Sequence, residues 1–100
     1  MTWQRHAHTR HTANRIAKKY GVKYNDGEGV DIKSQHAAVE VETSETVADA
    51  PRQLRGHRGP VYIAGSKQDA VDKALEVTRA TTIGVMDNQG SILKRSTRKR

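Results

Sequence analysis

Apolar positions recur along this chain with two periods, one helical and one of strict alternation. Between residues 9 and 20, Ala13, Ile16, Ala17 and Tyr20 fall three or four positions apart, while Arg10, Asn14, Arg15, Lys18 and Lys19 occupy the rest of the circumference. This stripe predicts an amphipathic helix with a basic outer face, ended by Gly21. A short extended piece, Val22 to Tyr24, leads into the turn-rich NDGEG at 25–29. The period then changes to two. Val30 to Lys33 reads as a strand, Ser34-Gln35-His36 as a turn, and Ala37 to Glu42 as a second strand in which Val39 and Val41 alternate with Glu40 and Glu42.

Thr43 to Ala50 is polar and has no clear period. Pro51 suits the first turn of a short helix over RQLRGH, with Asp49 placed to cap it and Gly56 and Gly59 to close it. Val61 to Ala64, VYIA, is almost wholly apolar, which predicts a central strand. Ser66 and Asp69 form a capping-box spacing before a helix whose stripe is Ala70, Val71, Ala74, Leu75 and Thr78. Thr82 to Met86 is the next strand, Asp87 to Gly90 a turn, and Ser91 to Lys94 a last short strand. The order α-β-β-β-α-β-α-β, with a terminal hairpin, predicts an α/β fold: a mixed β-sheet flanked by helices. Residues 1–94 form one domain in this reading, and the RSTRKR of 95–100 a disordered basic tail.

Composition sharpens this picture. One hundred residues with 34% hydrophobic content, no Phe and four aromatic side chains leave a thin core, so a homodimer is expected to bury more apolar surface. No apolar run reaches the roughly 20 residues of a membrane span. The opening MTWQRHAHTRH lacks the apolar stretch of a secretory signal. Absence of cysteine excludes disulfides and thiol chemistry and suits a cytoplasmic setting. Lys and Arg number 18 against 11 Asp and Glu, a net charge of +7. A surplus of that size favours a polyanionic partner, nucleic acid first. Arg15, Lys18, Lys19, Lys33, Arg52, Arg55 and Arg58 are the expected phosphate contacts, and His57, between Arg55 and Arg58, joins them.

Three carboxylates stand out against that basic background. Glu40 and Glu42, at i and i+2 of a strand, project to one face about 6.5–7 Å apart. If 30–33 pairs beside them, Asp31 approaches the same face. Gly27 and Gly29 permit a tight approach next to it. Converging carboxylates repel unless a cation is bound, and an all-oxygen set suits Mg²⁺ or Mn²⁺, the ions of metal-assisted phosphodiester hydrolysis. Alternatively, Glu40 and Glu42 are the wet half of an ordinary amphipathic strand. Both readings stand at this point.

A helix, a glycine-containing turn into GVDI, the strand VEVE, a helix with a glutamine and then GPVYIA together resemble the PD-(D/E)xK nuclease superfamily. Within it, the archaeal Holliday-junction resolvases are the nearest likeness. The resemblance spans about residues 9–64 and implies an αβββαβ, restriction-endonuclease-like core. It implies a metal-dependent endonuclease acting on double-stranded or branched DNA. Asp31 and Glu40 would hold Mg²⁺ or Mn²⁺. Glu42, at the motif position usually held by lysine, would be a further ligand or a water-orienting base, and Gln53 would position phosphate or water. Two departures mark this chain: no lysine at position 42, and no acid on the first helix. Glu28 and Lys33 are the candidates to fill those roles. A non-catalytic nucleic-acid-binding domain of the same fold is the alternative, and a small basic protein binding RNA or an acidic protein a third reading.

Other patterns carry less. His6, His8 and His11 form H-x-H-x-x-H, a zinc or copper spacing without a further soft ligand, and phosphate proximity explains them better. Trp3 and Tyr24 are candidate stacking residues. No Gly-Lys-Ser/Thr follows the GEG, and no serine sits on a nucleophile elbow.

Overall fold

In the computed structural model, which describes residues 7–25 and 30–98, the first helical stripe becomes α1 (Ala7–Lys19). Its end follows directly from Gly21. With Gly21 at φ 73°, the Gly21 N–H reaches Lys18 O at 3.0 Å and the Val22 N–H reaches Ala17 O at 2.9 Å. This is a Schellman closure, which a residue with a Cβ adopts only under strain. It also corrects the strand expected at 22–24. The Val22 N–H is spent on the helix end, and Val22 and Tyr24 pack against the core beneath α1 instead of pairing in the sheet.

The remaining elements are β1 (Ile32–Lys33), β2 (Ala38–Glu42), a single 3-10 turn (Val47–Asp49), α2 (Ala50–Leu54), β3 (Val61–Gly65), α3 (Gln68–Val77), β4 (Gly84–Met86) and β5 (Ile92–Lys94). The chain order is thus α-β-β-α-β-α-β-β, with the terminal hairpin present. One five-stranded sheet runs β1-β2-β3-β4-β5. β2, β3 and β4 are parallel, while β1 and β5 lie antiparallel on the two edges. β3 is the middle strand, as its apolar run VYIA predicts.

Helices cover both faces of this sheet. On one face Ala13, Ile16 and Ala17 of α1 pack over Ile32, Val39, Val41, Tyr62, Ala64 and Met86. On the other, Val47, Ala50 and Leu54 join Val71 and Ala74 of α3 over Ala38, Val61, Ile63 and Val85. The result is a three-layer α/β/α sandwich. At α3 the expected capping box is absent. Lys67 is the N-cap residue and no side chain caps the helix. Asp49 does precede α2, but its carboxylate meets Arg52 at 3.5 Å rather than a backbone N–H.

On β5, at the outer edge, Ile92 and Leu93 are 38% and 51% exposed. Part of the segment expected as a disordered tail carries specific bonds. Ser96 Oγ accepts from Val61 N at 3.2 Å and donates to Thr82 O at 2.9 Å. Thr97 N donates to Thr82 O at 2.9 Å. Arg98 Nη1 donates to Leu54 O at 3.0 Å and His57 O at 3.1 Å, carbonyls at the end of α2 and just past it.

α3 lies against β3 at Gly65, where an added Cβ would stand 2.5 Å from Val71 N and 2.6 Å from Val71 Cγ2. Backbone cannot yield there as a flexible side chain would. Gly65→Ala is therefore expected to cost about 1–3 kcal/mol through overpacking, read as a lower urea midpoint at unchanged m-value. A midpoint equal to wild type would show that α3 can lift off β3 without cost.

Candidate functional site

Asp31 immediately precedes β1, whose register pairs Ile32 with Val39 and Lys33 with Ala38. One further step of that antiparallel ladder sets Asp31 opposite Glu40. β1 contributes only two residues to the ladder, and the Asp31 side chain extends it: Oδ2 accepts from the Val41 N–H at 2.8 Å. A backbone carbonyl would otherwise be needed to satisfy that buried donor.

All three carboxylates are buried, with relative exposures of 1% for Asp31, 4% for Glu40 and 6% for Glu42. The wet-strand reading of VEVE therefore fails. Glu40 and Glu42 alternate with Val39 and Val41, but they share a face with Ala38 that α2 and α3 cover. Carboxylates are rarely placed so deep, because an ion removed from water must be compensated by hydrogen bonds, opposite charge or protonation. In the parallel ladder Glu40 lies beside Ile63 and Glu42 beside Gly65.

The donor set, oxygen only, suits a hard divalent cation. Its arrangement is less suited: among the described residues no three His, Asp or Glu side chains gather closely enough to hold a metal ion. Glu28, a candidate further acid, lies outside the described residues. Lys33 does not fill the place of the missing lysine, because it is exposed at the far end of β1 while the acids are buried.

The other expected site residues scatter. Gln53 is exposed on α2, which turns Ala50 and Leu54 to the core. Arg15 donates to Asn88 O at 2.7 Å and Lys19 to Gly90 O at 3.2 Å, tying α1 to the β4–β5 turn. Lys18 is exposed on α1, and Arg52 forms the surface pair with Asp49. Arg55 and Arg58 are exposed in the loop between α2 and β3, with His57 half-buried between them. Of the histidine triplet, His6 and the side chain of His8 lie outside the described residues, as does Trp3, and His11 is exposed. Tyr24 is half-buried against the α1-side core, not displayed for stacking.

Two residues escaped the sequence reading. Ser66, 4% exposed, sits where β3 ends, its N–H on Glu42 O at 3.0 Å and its hydroxyl buried with no hydrogen-bond partner among the described residues. Its only sequence signal was the false capping box. Arg98 was indistinguishable from its neighbours in a basic run. A groove of about 550 Å³ is lined by residues 20–22 at the end of α1 and 33–36 at the β1–β2 turn.

The chain matches no family model, no curated protein and no solved structure. The likeness to the PD-(D/E)xK nucleases rests on the residues quoted for it. No helix among the described residues is long and apolar enough to cross a membrane.

Two outcomes follow from these placements. Asp31→Ala leaves the Val41 N–H without its acceptor and is expected to cost about 1–3 kcal/mol, whereas Asp31→Asn keeps an acceptor oxygen and should lose less. Chemical denaturation of both variants checks the ranking, and equal losses would remove the structural role of the Asp31 carboxylate.

The second concerns His57. Burial first, then the charges of Lys33 and Arg98, hold its imidazole below the ordinary histidine range. The unfolded chain then binds this proton more readily than the folded one. Stability owed to neutral His57 is present above the unfolded pKa of about 6.5 and declines as pH falls from there toward the folded value. His57→Gln should flatten the fall in stability between about pH 7.5 and 5.5; a fall as steep as that of wild type would contradict this.

Proposed function

We propose that this chain is a metal-dependent endonuclease acting on DNA phosphodiester bonds, double-stranded or branched, in a reducing cytoplasmic setting and as a homodimer. The observation that carries the reading is the burial of Asp31, Glu40 and Glu42 on two adjoining strands of a protein whose net charge is +7. Burial is costly for carboxylates. A basic protein has ample cheaper places for them, so their position argues for chemistry rather than solubility. The run of α1, β1, β2, α2 and β3 is αββαβ, one strand short of the αβββαβ core that the resemblance implies.

In this reading Asp31 and Glu40, set across the β1–β2 ladder, would hold Mg²⁺ or Mn²⁺, and Glu42 would add a ligand or orient water. When bound, the ion supplies charge stabilisation at the phosphate and a more acidic water. Glu42, one pleat from Glu40 on the same face, would be the group to accept a proton from water there. Gln53 enters only if α2 turns it inward from its exposed position.

A second reading, the non-catalytic nucleic-acid-binding domain, is favoured by one specific contact. The Asp31 carboxylate is already engaged by the Val41 N–H, a structural duty that needs no metal.

Calorimetric titration with Mn²⁺, alongside Mg²⁺-dependent cleavage of a four-way junction and of linear duplex, separates the two. The nuclease reading expects binding heat and cleavage in wild type, both lost in Asp31→Asn while the fold persists. Identical negligible heats and no cleavage in either protein would leave the binding domain.

A further inference from the structure

The topology gathers cations without any acid at one end of the sheet, while the other end mixes acids with cations. β2, β3 and β4 begin at one end, where β1 and β5 finish. Four segments meet there: 33–37 between β1 and β2, 55–60 before β3, 78–83 before β4, and 94–98 at the end of β5. The first two supply Lys33 and His36, then Arg55, His57 and Arg58. The last two supply Arg79, then Lys94, Arg95 and Arg98. Together they hold seven of the 18 Lys and Arg residues and none of the 11 Asp and Glu.

The opposite end is different in kind. Acids follow the carboxyl end of each parallel strand: Glu45 after β2, Asp69 in the first turn of α3 after β3, and Asp87 after β4, with Lys67 beside them. Glu42 ends β2 on that side and Asp31 precedes β1 there. The two ends stand about 13 Å apart along β2, four steps of a strand.

The cationic end is built as one body. Arg98 is bonded to Leu54 O and His57 O, and Ser96 links β3 to the loop before β4. Lys94 Nζ is held by Thr81 O at 3.2 Å and by Ile83 O. Carbonyl contacts leave these charges in place, and His57 registers the field of Lys33 and Arg98. Seven like charges gathered without a carboxylate among them repel one another, a cost that a polyanion laid across them relieves.

We propose that this end of the sheet, formed by 33–37, 55–60, 78–83 and 94–98, docks the phosphate backbone of duplex nucleic acid as a surface separate from the Asp31–Glu40–Glu42 carboxylates. It shares the partner class of the proposed function and does not depend on catalysis. Contacts are to phosphates, so binding is steeply salt-dependent and indifferent to sequence. A duplex seated here lies away from the acids, and docking and hydrolysis are separately mutable.

The test is anisotropy of a labelled 20-base-pair DNA duplex in EDTA, titrated at several salt concentrations. Arg55→Gln/Arg58→Gln should bind about tenfold or more weakly, and its slope of log affinity against log salt should shrink by about 1.8, or 0.9 per lost phosphate contact. Lys67→Gln/Lys73→Gln removes the same charge at the acidic end and should stay within about threefold of wild type. Should the first pair also fail to fold, amide shift mapping on wild type decides: perturbations at the four named segments support the proposal. Perturbations at the carboxyl ends of the strands, or equal losses in the two double variants, overturn it. EDTA suppresses metal-dependent cleavage, so failure here leaves the nuclease reading untouched. A wild type that docks at these segments yet never cuts with Mg²⁺ fails that reading alone.

Discussion

Covering both faces of a five-stranded sheet with helices, α1 on one side and α2 with α3 on the other, is the constraint from which most of this structure follows. A chain of 100 residues with four aromatic side chains has little apolar material for two cores. It meets the demand with small residues. Ala13, Ala17, Ala64, Ala70 and Ala74 let helices sit close to strands, and Gly65 brings α3 onto β3 at van der Waals limits. Close packing of small side chains recovers dispersion that larger ones would supply by bulk. The same coverage turns β2 into a strand with no wet side, so residues that alternation marks as polar end up inside.

That is also where sequence reasoning reached its limit. The three-and-four spacing of Ala13, Ile16 and Ala17 and the unbroken VYIA declared their elements, because each pattern is set by its own segment. Glu40 and Glu42 behaved otherwise. Period two establishes that a strand has two unlike faces; which of them meets water is decided by helices elsewhere in the chain, here α2 and α3. Val22 to Tyr24 misled for a related reason. The Schellman closure at Gly21 claims the Val22 N–H, and packing under α1 claims the Val22 and Tyr24 side chains. Ser66 and Arg98 had no local signature. Their roles exist only once β3, the α2 carbonyls and the C-terminal segment are brought together.

Lys33, Arg55 and Arg58, read in sequence with the carboxylates as parts of one nucleic-acid site, lie at the amino end of the parallel strands, whereas Glu42 lies at the carboxyl end and Arg15 and Lys19 reach the β4–β5 turn there. Asp31 shows how a single group can serve two purposes. Its oxygen accepts from the Val41 N–H just beyond the two-residue β1, and the carboxylate is buried there beside β2. A carboxylate held this way is preorganised, whatever else it goes on to bind.

β5 adds a last consequence. It forms an edge of the sheet, carries Ile92 and Leu93 half in solvent, and ends at Lys94 with Arg95 next. An uncovered edge with apolar side chains invites strand-to-strand association between copies, and neighbouring positive charge opposes it. The colloidal behaviour of the protein is thereby tied to its ionic surroundings. In dilute salt the copies hold one another off; where counterions or a bound polyanion mask the cations, the barrier between edges falls and self-association costs less.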